Sequence, residues 1–285
     1  MKRMLADLHL HSTASDGKLK PSDVIRHAHE SGLKAVSLTD HDTITGLKPA
    51  RELAGELGLE FINGVELSTF MNGRECHILG YGFDDDNPNI NKLFGSQLSQ
   101  RRTRAEAMIH ELNKLGMEIT FDEVWAEAVN APISRVHIAR VLMNKGYCAT
   151  QNEVFFRFLG NRGPAYVPFE LVAADDGIEA IHEAGGVAVL AHPSNYYLYE
   201  DLKKLMDWGI DGFEYIHPSH NYTQQMKYFN HARNYDLLVT GGSDFHGYLN
   251  KDYNNLGMVA VDMQHFHHLC EFISVHSEST NAQLT

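Results

Sequence analysis

Short apolar runs recur along this chain, and nearly every one of them runs into a histidine or a carboxylate. Residues 35–39 lead into Asp40-His41-Asp42, residues 60–67 carry Glu66 near their end, and residues 187–191 are wholly apolar before His192-Pro193. Residues 237–241 lead into Ser243-Asp244-Phe245-His246. Between such runs lie helical patterns at 21–31, 47–57, 177–184, 200–208 and 223–234. Strand and helix alternating at short spacing predict a parallel sheet covered by helices, and an unbroken apolar run is what a strand covered on both faces looks like. With 7–11, 77–81 and 212–216 added, seven strands precede helices or carry these polar residues. The pattern predicts an α/β fold built as a barrel of β/α units. A flat doubly wound sheet is the alternative, but it would gather its polar residues at one switch point.

The first strand sharpens the reading. In Asp7-Leu8-His9-Leu10-His11 the period of two puts Asp7, His9 and His11 on one face and both leucines on the other. A lone His-x-His fits a metal pair or a half-buried strand with hydrogen-bonded imidazoles, and later ligands must decide. Those candidates are Asp16, His41, Glu66, His77, His192, Asp244 and His246. In a barrel, strand ends converge on one face. Six imidazoles and three carboxylates brought together there require cations between them, and their number exceeds one four-coordinate site, so roughly two or three ions are expected.

The alternation is interrupted once. Ala105, Met108, Ile109, Leu112 and Leu115 recur at helical spacing, and no strand pattern follows for roughly seventy residues. Further helices are expected at 121–129, 133–145 and 153–159, closing in Gly160-Asn161-Arg162-Gly163-Pro164. The expected organisation is a discontinuous barrel, 1–90 and 166–276, with a helical insertion at 91–165. A last helix at 264–274 is followed by a flexible polar tail at 277–285.

Several function classes are excluded. No apolar run approaches the ~20 residues that span a bilayer, and Met1-Lys2-Arg3-Met4 leads directly into the first strand, so a cytoplasmic protein without a membrane partner is expected. Cys76, Cys148 and Cys270 are unclustered, which suits a reducing compartment and gives no zinc ribbon. A formal charge of −13 argues against stable binding of duplex DNA. An anionic substrate is still allowed, because bound divalent cations would invert the local potential. The pattern does not specify the oligomeric state.

Taken together, Asp7-Leu8-His9-Leu10-His11-Ser12 with Asp16-Gly17, Thr39-Asp40-His41-Asp42, Gly64-Val65-Glu66, His77, Ala191-His192-Pro193 and Ser243-Asp244-Phe245-His246 resemble the polymerase and histidinol phosphatase (PHP) superfamily. The resemblance implies a distorted seven-stranded PHP barrel with a trinuclear centre. His9, His11, Glu66 and Asp244 would hold one ion, Glu66, His77 and His192 a second, and Asp16, His41 and His246 a third. It favours manganese, although imidazole and carboxylate ligands also suit iron or zinc. Catalysis would centre on Glu66, Asp16, His192 and His246 through a metal-bridging hydroxide that attacks a phosphoester; amide hydrolysis is possible at related barrels. By position alone, His217 and His220 follow the strand 212–216 on the same face and could donate a proton to the leaving group, His217 being the candidate general acid; the plain alternative is a pair of hydrogen-bonded loop histidines.

The insertion makes the chain similar to bacterial 3',5'-nucleoside bisphosphate phosphatases and 5'-3' exoribonucleases. The expected partner is therefore a nucleotide or short RNA. Histidinol-phosphate hydrolysis is an alternative within the same chemistry, and a non-catalytic metal-binding or RNA-binding module a third reading. Ser134-Arg135-x-His137 opens an insertion helix whose free N–H groups and guanidinium suit a non-reacting phosphate. The plain alternative is a solvated Arg135 and a helix-face His137. Arg162 and Tyr166 would add a phosphate contact and a stacking platform, or simply shape their loop. Asp7, Asp40 and Asp42 are expected to orient ligand histidines, Glu214 to stand behind the ligands, and Arg101-Arg102-x-Arg104 to form an exposed helix face able to steer RNA.

Overall fold

The computed structural model describes residues 4–128, 131–168 and 171–283. Its strands are β1 (Leu5–Leu10), β2 (Ala35–Leu38), β3 (Glu60–Met71), β4 (Arg74–Tyr81), β5 (Val172–Ala173), β6 (Val187–Leu190), β7 (Gly212–Ile216), β8 (Leu238–Gly241) and β9 (Val261–Asp262). They form one sheet in the order β8-β7-β6-β4-β3-β2-β1-β9, with β5 added to β3. The ends of the path approach each other: Leu10 makes a parallel bridge to Phe245, and the His11 N–H donates to the Phe245 carbonyl at 2.9 Å. The result is a nearly closed barrel. The seven strands expected from the sequence are those running from β8 to β1; β5 and β9 are two-residue additions.

One step departs from the β/α repeat. β3 and β4 are an antiparallel hairpin, with Ser68 opposite His77, and β4 is also antiparallel to β6. Asn72 and Gly73 turn the chain with φ of 49° and 80°. Positive φ at both central residues is what a two-residue hairpin turn demands, and Asn-Gly is its usual sequence. The hairpin lengthens β3 past Glu66 and lays His77 beside it.

The helices are α1 (Pro21–Glu30), α2 (Leu47–Leu57), α3 (Pro88–Lys114), α4 (Phe121–Ala128), α5 (Arg135–Asn144), α6 (Gln151–Val154), α7 (Ala174–Glu183), α8 (Tyr199–Asp207), α9 (Tyr222–Asn234), α10 (Asn250–Asn255) and α11 (Met263–Gln283); a π-helical turn, Phe155–Leu159, continues α6. Val24, Ile25 and Ala28 of α1 and Ala50 and Ala54 of α2 pack on Leu10, Val36, Leu38, Val65 and Leu67. A second cluster joins the other strand faces, including Leu8, Leu79, Val187 and Val189, to Met263, Phe266 and Leu269 of α11. Leu8 and Leu10 thus serve different cores. The register between β1 and β2 slips between Asp7 and Leu10, so strict alternation fails at the strand that carries His9 and His11, as bulges beside functional sites commonly arrange.

The helical interruption has its own core, made by Ala105, Met108, Ile109 and Leu112 of α3 with Val124, Ile138, Ala139, Leu142 and Leu159. The other half of α3 belongs to the barrel: Ile90 and Phe94 pack in the first cluster. One continuous helix therefore ties the two together. The last helix runs past its expected end at 274, since α11 continues to Gln283; no glycine or proline breaks that stretch. Residues 284 and 285, like Val129 in the expected helix 121–129, lie outside the described residues. Among the described residues, no helix is long and apolar enough to cross a membrane.

Candidate metal centre

Glu66, buried in β3, is the hub of the site. Its Oε1 lies 2.8 Å from both His77 Nδ1 and His192 Nε2, and its Oε2 lies 3.1, 3.2 and 3.4 Å from the Nε2 atoms of His9, His11 and His41. Asp244 Oδ1 is 3.2 Å from His11 Nε2 and 3.6 Å from His9 Nε2, while Asp16 Oδ1 is 3.2 Å from His246 Nε2. All nine expected ligands therefore meet. Ligand atoms fall within 4.8 Å of one another in four sets: His11, Asp16, His41 and His246; His9, His11 and Asp244; His9, Glu214 and His217; and His41, Glu66 and His77. His9, His11 and His41 each belong to two of these, a sharing the expected assignment does not include.

The residues fit divalent ions. Five imidazoles crowd one carboxylate, more than its two oxygens can satisfy with good geometry. His11 is fully buried with neither ring nitrogen hydrogen-bonded, and His41 Nδ1 is also unpartnered; each such orphan costs roughly 1–3 kcal/mol unless something takes its lone pair. The electrostatics agree. Burial opposes ionisation of Glu66, yet His41, His9 and His77 hold it well below the usual carboxylate range. Asp16 is held low against the same penalty by His246 and His41. Burial pushes His41 down to about 4, whereas Asp16 and Asp244 overcome burial and raise His246 to about 10. Such opposed neighbours are typical of functional sites.

What aims these ligands matches expectation at Glu214 and differs from it at Asp7, Asp40 and Asp42. Glu214, fully buried in the otherwise apolar β7, accepts from His9 Nδ1 at 2.9 Å and from the His192 N–H at 2.7 Å. It thereby leaves His9 Nε2 to face Glu66 and Asp244, the arrangement by which an outer carboxylate orients a ligating imidazole. Asp7, Asp40 and Asp42 bond no imidazole. Asp7 Oδ1 accepts the N–H groups of His9 and Ser243, its Oδ2 has no partner, and burial raises its pKa to about 7. Asp40 accepts from Ser12 and from the Ser15 hydroxyl, holding the loop before Asp16. Asp42 accepts the Ser68 N–H and the Arg101 guanidinium. These short carboxylates reach nearby backbone and loop donors first, and the imidazoles beyond them turn to Glu66.

Two glycines permit the close packing. A Cβ on Gly17 would lie 2.7 Å from the His11 carbonyl, and one on Gly242 would lie 2.5 Å from His9 N. Asp42, His192 and Asp244 have φ of 51°, 27° and 51°. Strained backbone at three site positions is costly and persists only where surrounding structure over-determines it.

The remaining candidates separate clearly. His217 Nδ1 lies 2.8 Å from the Ser219 hydroxyl, and its Nε2 lies 3.3 Å from Asp244 Oδ2. His220 is committed on both sides, Nδ1 to the Tyr215 carbonyl and Nε2 to the Ser194 N–H, and holds loops together. His137 Nδ1 accepts the Ser134 N–H at 3.0 Å in a helix-capping pair. Arg135 donates to Glu75 Oε2 at 3.2 Å, beside His77, and to Asn161. Tyr166 lies under the Arg104 guanidinium, and Arg162 is exposed.

The run at 101–104 is not a uniformly exposed face. Arg101 is buried against Asp42 and Ser68, Arg104 donates to the Val167 carbonyl, and only Arg102 is surface-paired, with Glu106. Arg140 and Tyr248 were not among the candidates: Arg140 donates to the Asp16 carbonyl at 3.0 Å and lies 3.8 Å from the Tyr248 ring centre. Nothing in their spacing signals this, since they meet across the site from distant segments.

Residues 7–118 match the family model of the PHP domain. The chain is 38% identical to a 5'-3' exoribonuclease of Haemophilus influenzae, over 84% of this chain and 89% of that protein. It is 34% identical to a phosphoribosyl 1,2-cyclic phosphate 1,2-diphosphodiesterase of Eggerthella lenta (86% and 95% covered) and 35% identical to a 3',5'-nucleoside bisphosphate phosphatase of Chromobacterium violaceum (84% and 86%). A crystal structure from Bifidobacterium adolescentis, described as a metal-dependent phosphoesterase, superposes with a TM-score of 0.86 at 31% identity, covering 93% of this chain and 95% of that one.

Proposed function

The chain belongs to the PHP family of metal-dependent phosphoesterases, and from that premise we propose that it hydrolyses the phosphoester at the ribose 3' oxygen of a 5'-phosphorylated nucleotide. The substrate is a nucleoside 3',5'-bisphosphate, which loses its 3'-phosphate, or a short RNA trimmed from its 5' end. Both are one reaction: a water oxygen bonds to phosphorus, the P–O3' bond breaks, and the 3' oxygen leaves with a proton. The observation that carries this reading is Glu66, whose two oxygens face five imidazoles.

We assign His9, His11, Glu66 and Asp244 to one ion, Glu66, His77 and His192 to a second, and Asp16, His41 and His246 to a third, with manganese as the metal. Bound there, such ions supply a water acidic enough to ionise near neutral pH and positive charge for the phosphoryl oxygens. Glu214 fixes the rings and backbone that present His9 and His192. His217 acts as the imidazolium: Nδ1–H is held on the Ser219 hydroxyl at 2.8 Å, and the Nε2 proton, which faces the site, passes to the leaving oxygen and leaves the neutral ring. Arg135 exchanges its Glu75 partner for a non-reacting phosphate of the substrate. The helices at 91–165 act as a cap set into a barrel of 1–90 and 166–276.

The test is a product assay on manganese-loaded protein with a nucleoside 3',5'-bisphosphate and a 5'-phosphorylated oligoribonucleotide. Histidinol phosphate and phosphoribosyl 1,2-cyclic phosphate serve as comparators. The reading expects inorganic phosphate from the first substrate, or nucleoside 5'-monophosphates released singly from the second. Faster turnover of either comparator than of both nucleotides overturns it.

A further inference from the structure

Helix α5 passes across the centre from one flank to the other. Arg135, its first residue, reaches Glu75 beside His77; Arg140, about 7.5 Å further along the axis at ~1.5 Å per residue, reaches the Asp16 carbonyl. The two flanks differ in room. Beside Arg135, Arg101 and Arg104 the cavity is ≈ 10 Å³, whereas beyond Arg140 a cleft of ≈ 830 Å³ opens directly over Asp16, Asp244 and His246. That volume lies in the upper part of the ~300–1,000 Å³ range of small-ligand pockets, and a phosphate alone would fill little of it.

The walls of this cleft have a particular chemistry. Val136 and Met143 of α5 and Leu249 offer apolar surface, and Asn144 and Asn152 offer amides beside it. Tyr248 is 40% exposed, with the Arg140 guanidinium against its ring at 3.8 Å. The acidic groups are already engaged: Asp252 accepts the Tyr248 and Leu249 N–H groups, and Glu127 accepts from Asn144. A flat, partly apolar ligand with hydrogen-bonding edges suits such walls. A nucleobase joined through its ribose to the reacting phosphate has that character, and aromatic platforms accept any base by stacking.

We propose that the cleft between α5 and the Tyr248–Lys251 segment is a nucleobase subsite, with the base stacked on Tyr248 and enclosed by Val136, Met143 and Leu249. The proposal rests on the nucleotide reading above and deepens it: this subsite makes the centre select base-bearing phosphoesters over base-free ones.

Two measurements test it on the full-length chain, the first with manganese loaded. The first is the ratio of kcat/KM for adenosine 3',5'-bisphosphate to that for its abasic tetrahydrofuran counterpart, in wild type, Tyr248→Phe and Tyr248→Leu. Leucine keeps bulk beneath Arg140 but removes the π face. The ratio is expected to be well above one in wild type, to persist in Tyr248→Phe, and to fall about tenfold in Tyr248→Leu. The second is a fluorescence titration with 1,N6-ethenoadenosine 3',5'-bisphosphate on chelator-treated protein, where Tyr248→Leu is expected to weaken binding by a similar factor. An unchanged ratio in Tyr248→Leu, an equal loss in Tyr248→Phe, or no binding of the etheno probe by wild type overturns the subsite. Binding that depends on Tyr248 without turnover overturns the proposed reaction and leaves the subsite standing.

Discussion

Glu66 shows how much of the centre depends on single side chains, because one buried carboxylate lies within 3.4 Å of five imidazoles. Its importance is legible in the sequence, as are the nine candidate ligand positions, since most stand at or just beyond the end of an apolar run and His9, His11 and His77 lie on one. What orients them is legible only in part. Asp7 lies two residues from His9 and is the partner that strand alternation offers it, yet its carboxylate closes on backbone N–H groups, and Glu214, 205 residues away, takes the ring. A polar residue inside Gly212–Ile216 is the only local hint of that role. Replacing Glu214→Gln is expected to weaken metal affinity by about 10–100-fold, read by competition with a chromophoric chelator. An affinity equal to wild type would show that His9 and His192 need no such support.

His137 gives a second prediction at this scale. Burial lowers its pKa to about 4 from an ordinary 6.5, with Asp16 opposing the shift and Arg140 and Arg101 adding to it. The folded chain therefore binds the proton later than the unfolded chain as pH falls. The stabilisation is complete above about 6.5, is lost as pH falls towards 4, and amounts to something on the order of 3 kcal/mol. Urea unfolding at pH 7, 5.5 and 4.5 should show the gap between wild type and His137→Gln shrinking as the solution is acidified. A gap independent of pH contradicts the assignment.

Among the elements, α3 is the one whose role goes furthest beyond its sequence pattern. Its helical periodicity is plain, but one half belongs to the barrel core and the other to the insertion core, and Arg101 at the junction is buried against Asp42, next to ligand His41. Three arginines in four residues look like a solvated face; burial of one is decided by Asp42 and Ser68, which lie 26 residues apart in sequence and meet through the Ser68 N–H. Removing one partner of a buried pair costs about 3–5 kcal/mol, so Arg101→Met should lower the urea midpoint strongly. Adding Asp42→Asn should return part of that loss, and strictly additive losses would mean that the pair does not couple α3 to the site loop. The β3–β4 hairpin was available from Asn72-Gly73, whereas the two-residue strands β5 and β9 are too short to leave a period.

At the scale of the molecule, the barrel collects the candidate ligands from β1, β3 and β4 and from the loops after β1, β2, β6 and β8 into one face, while α3 to α6 stand beside it. The strand count and the position of the helical interruption follow from apolar periodicity, because burial on both strand faces leaves a signal that survives without tertiary context. The cleft over Asp16 does not, since its walls come from α5 and a loop more than a hundred residues later. A chain of net charge −13 that gathers further carboxylates at its reaction centre needs cations there to meet an anionic substrate.

The central claim is that Glu66 organises a multinuclear metal centre. The most direct measurement is metal per chain, by inductively coupled plasma mass spectrometry, on manganese-loaded and desalted wild type and Glu66→Gln, with turnover of a nucleoside 3',5'-bisphosphate measured on the same samples. Wild type is predicted to retain roughly two or three ions, and Glu66→Gln to lose at least one of them together with at least about a hundredfold in kcat. A Glu66→Gln chain that keeps both the metal content and the turnover of wild type would contradict the account.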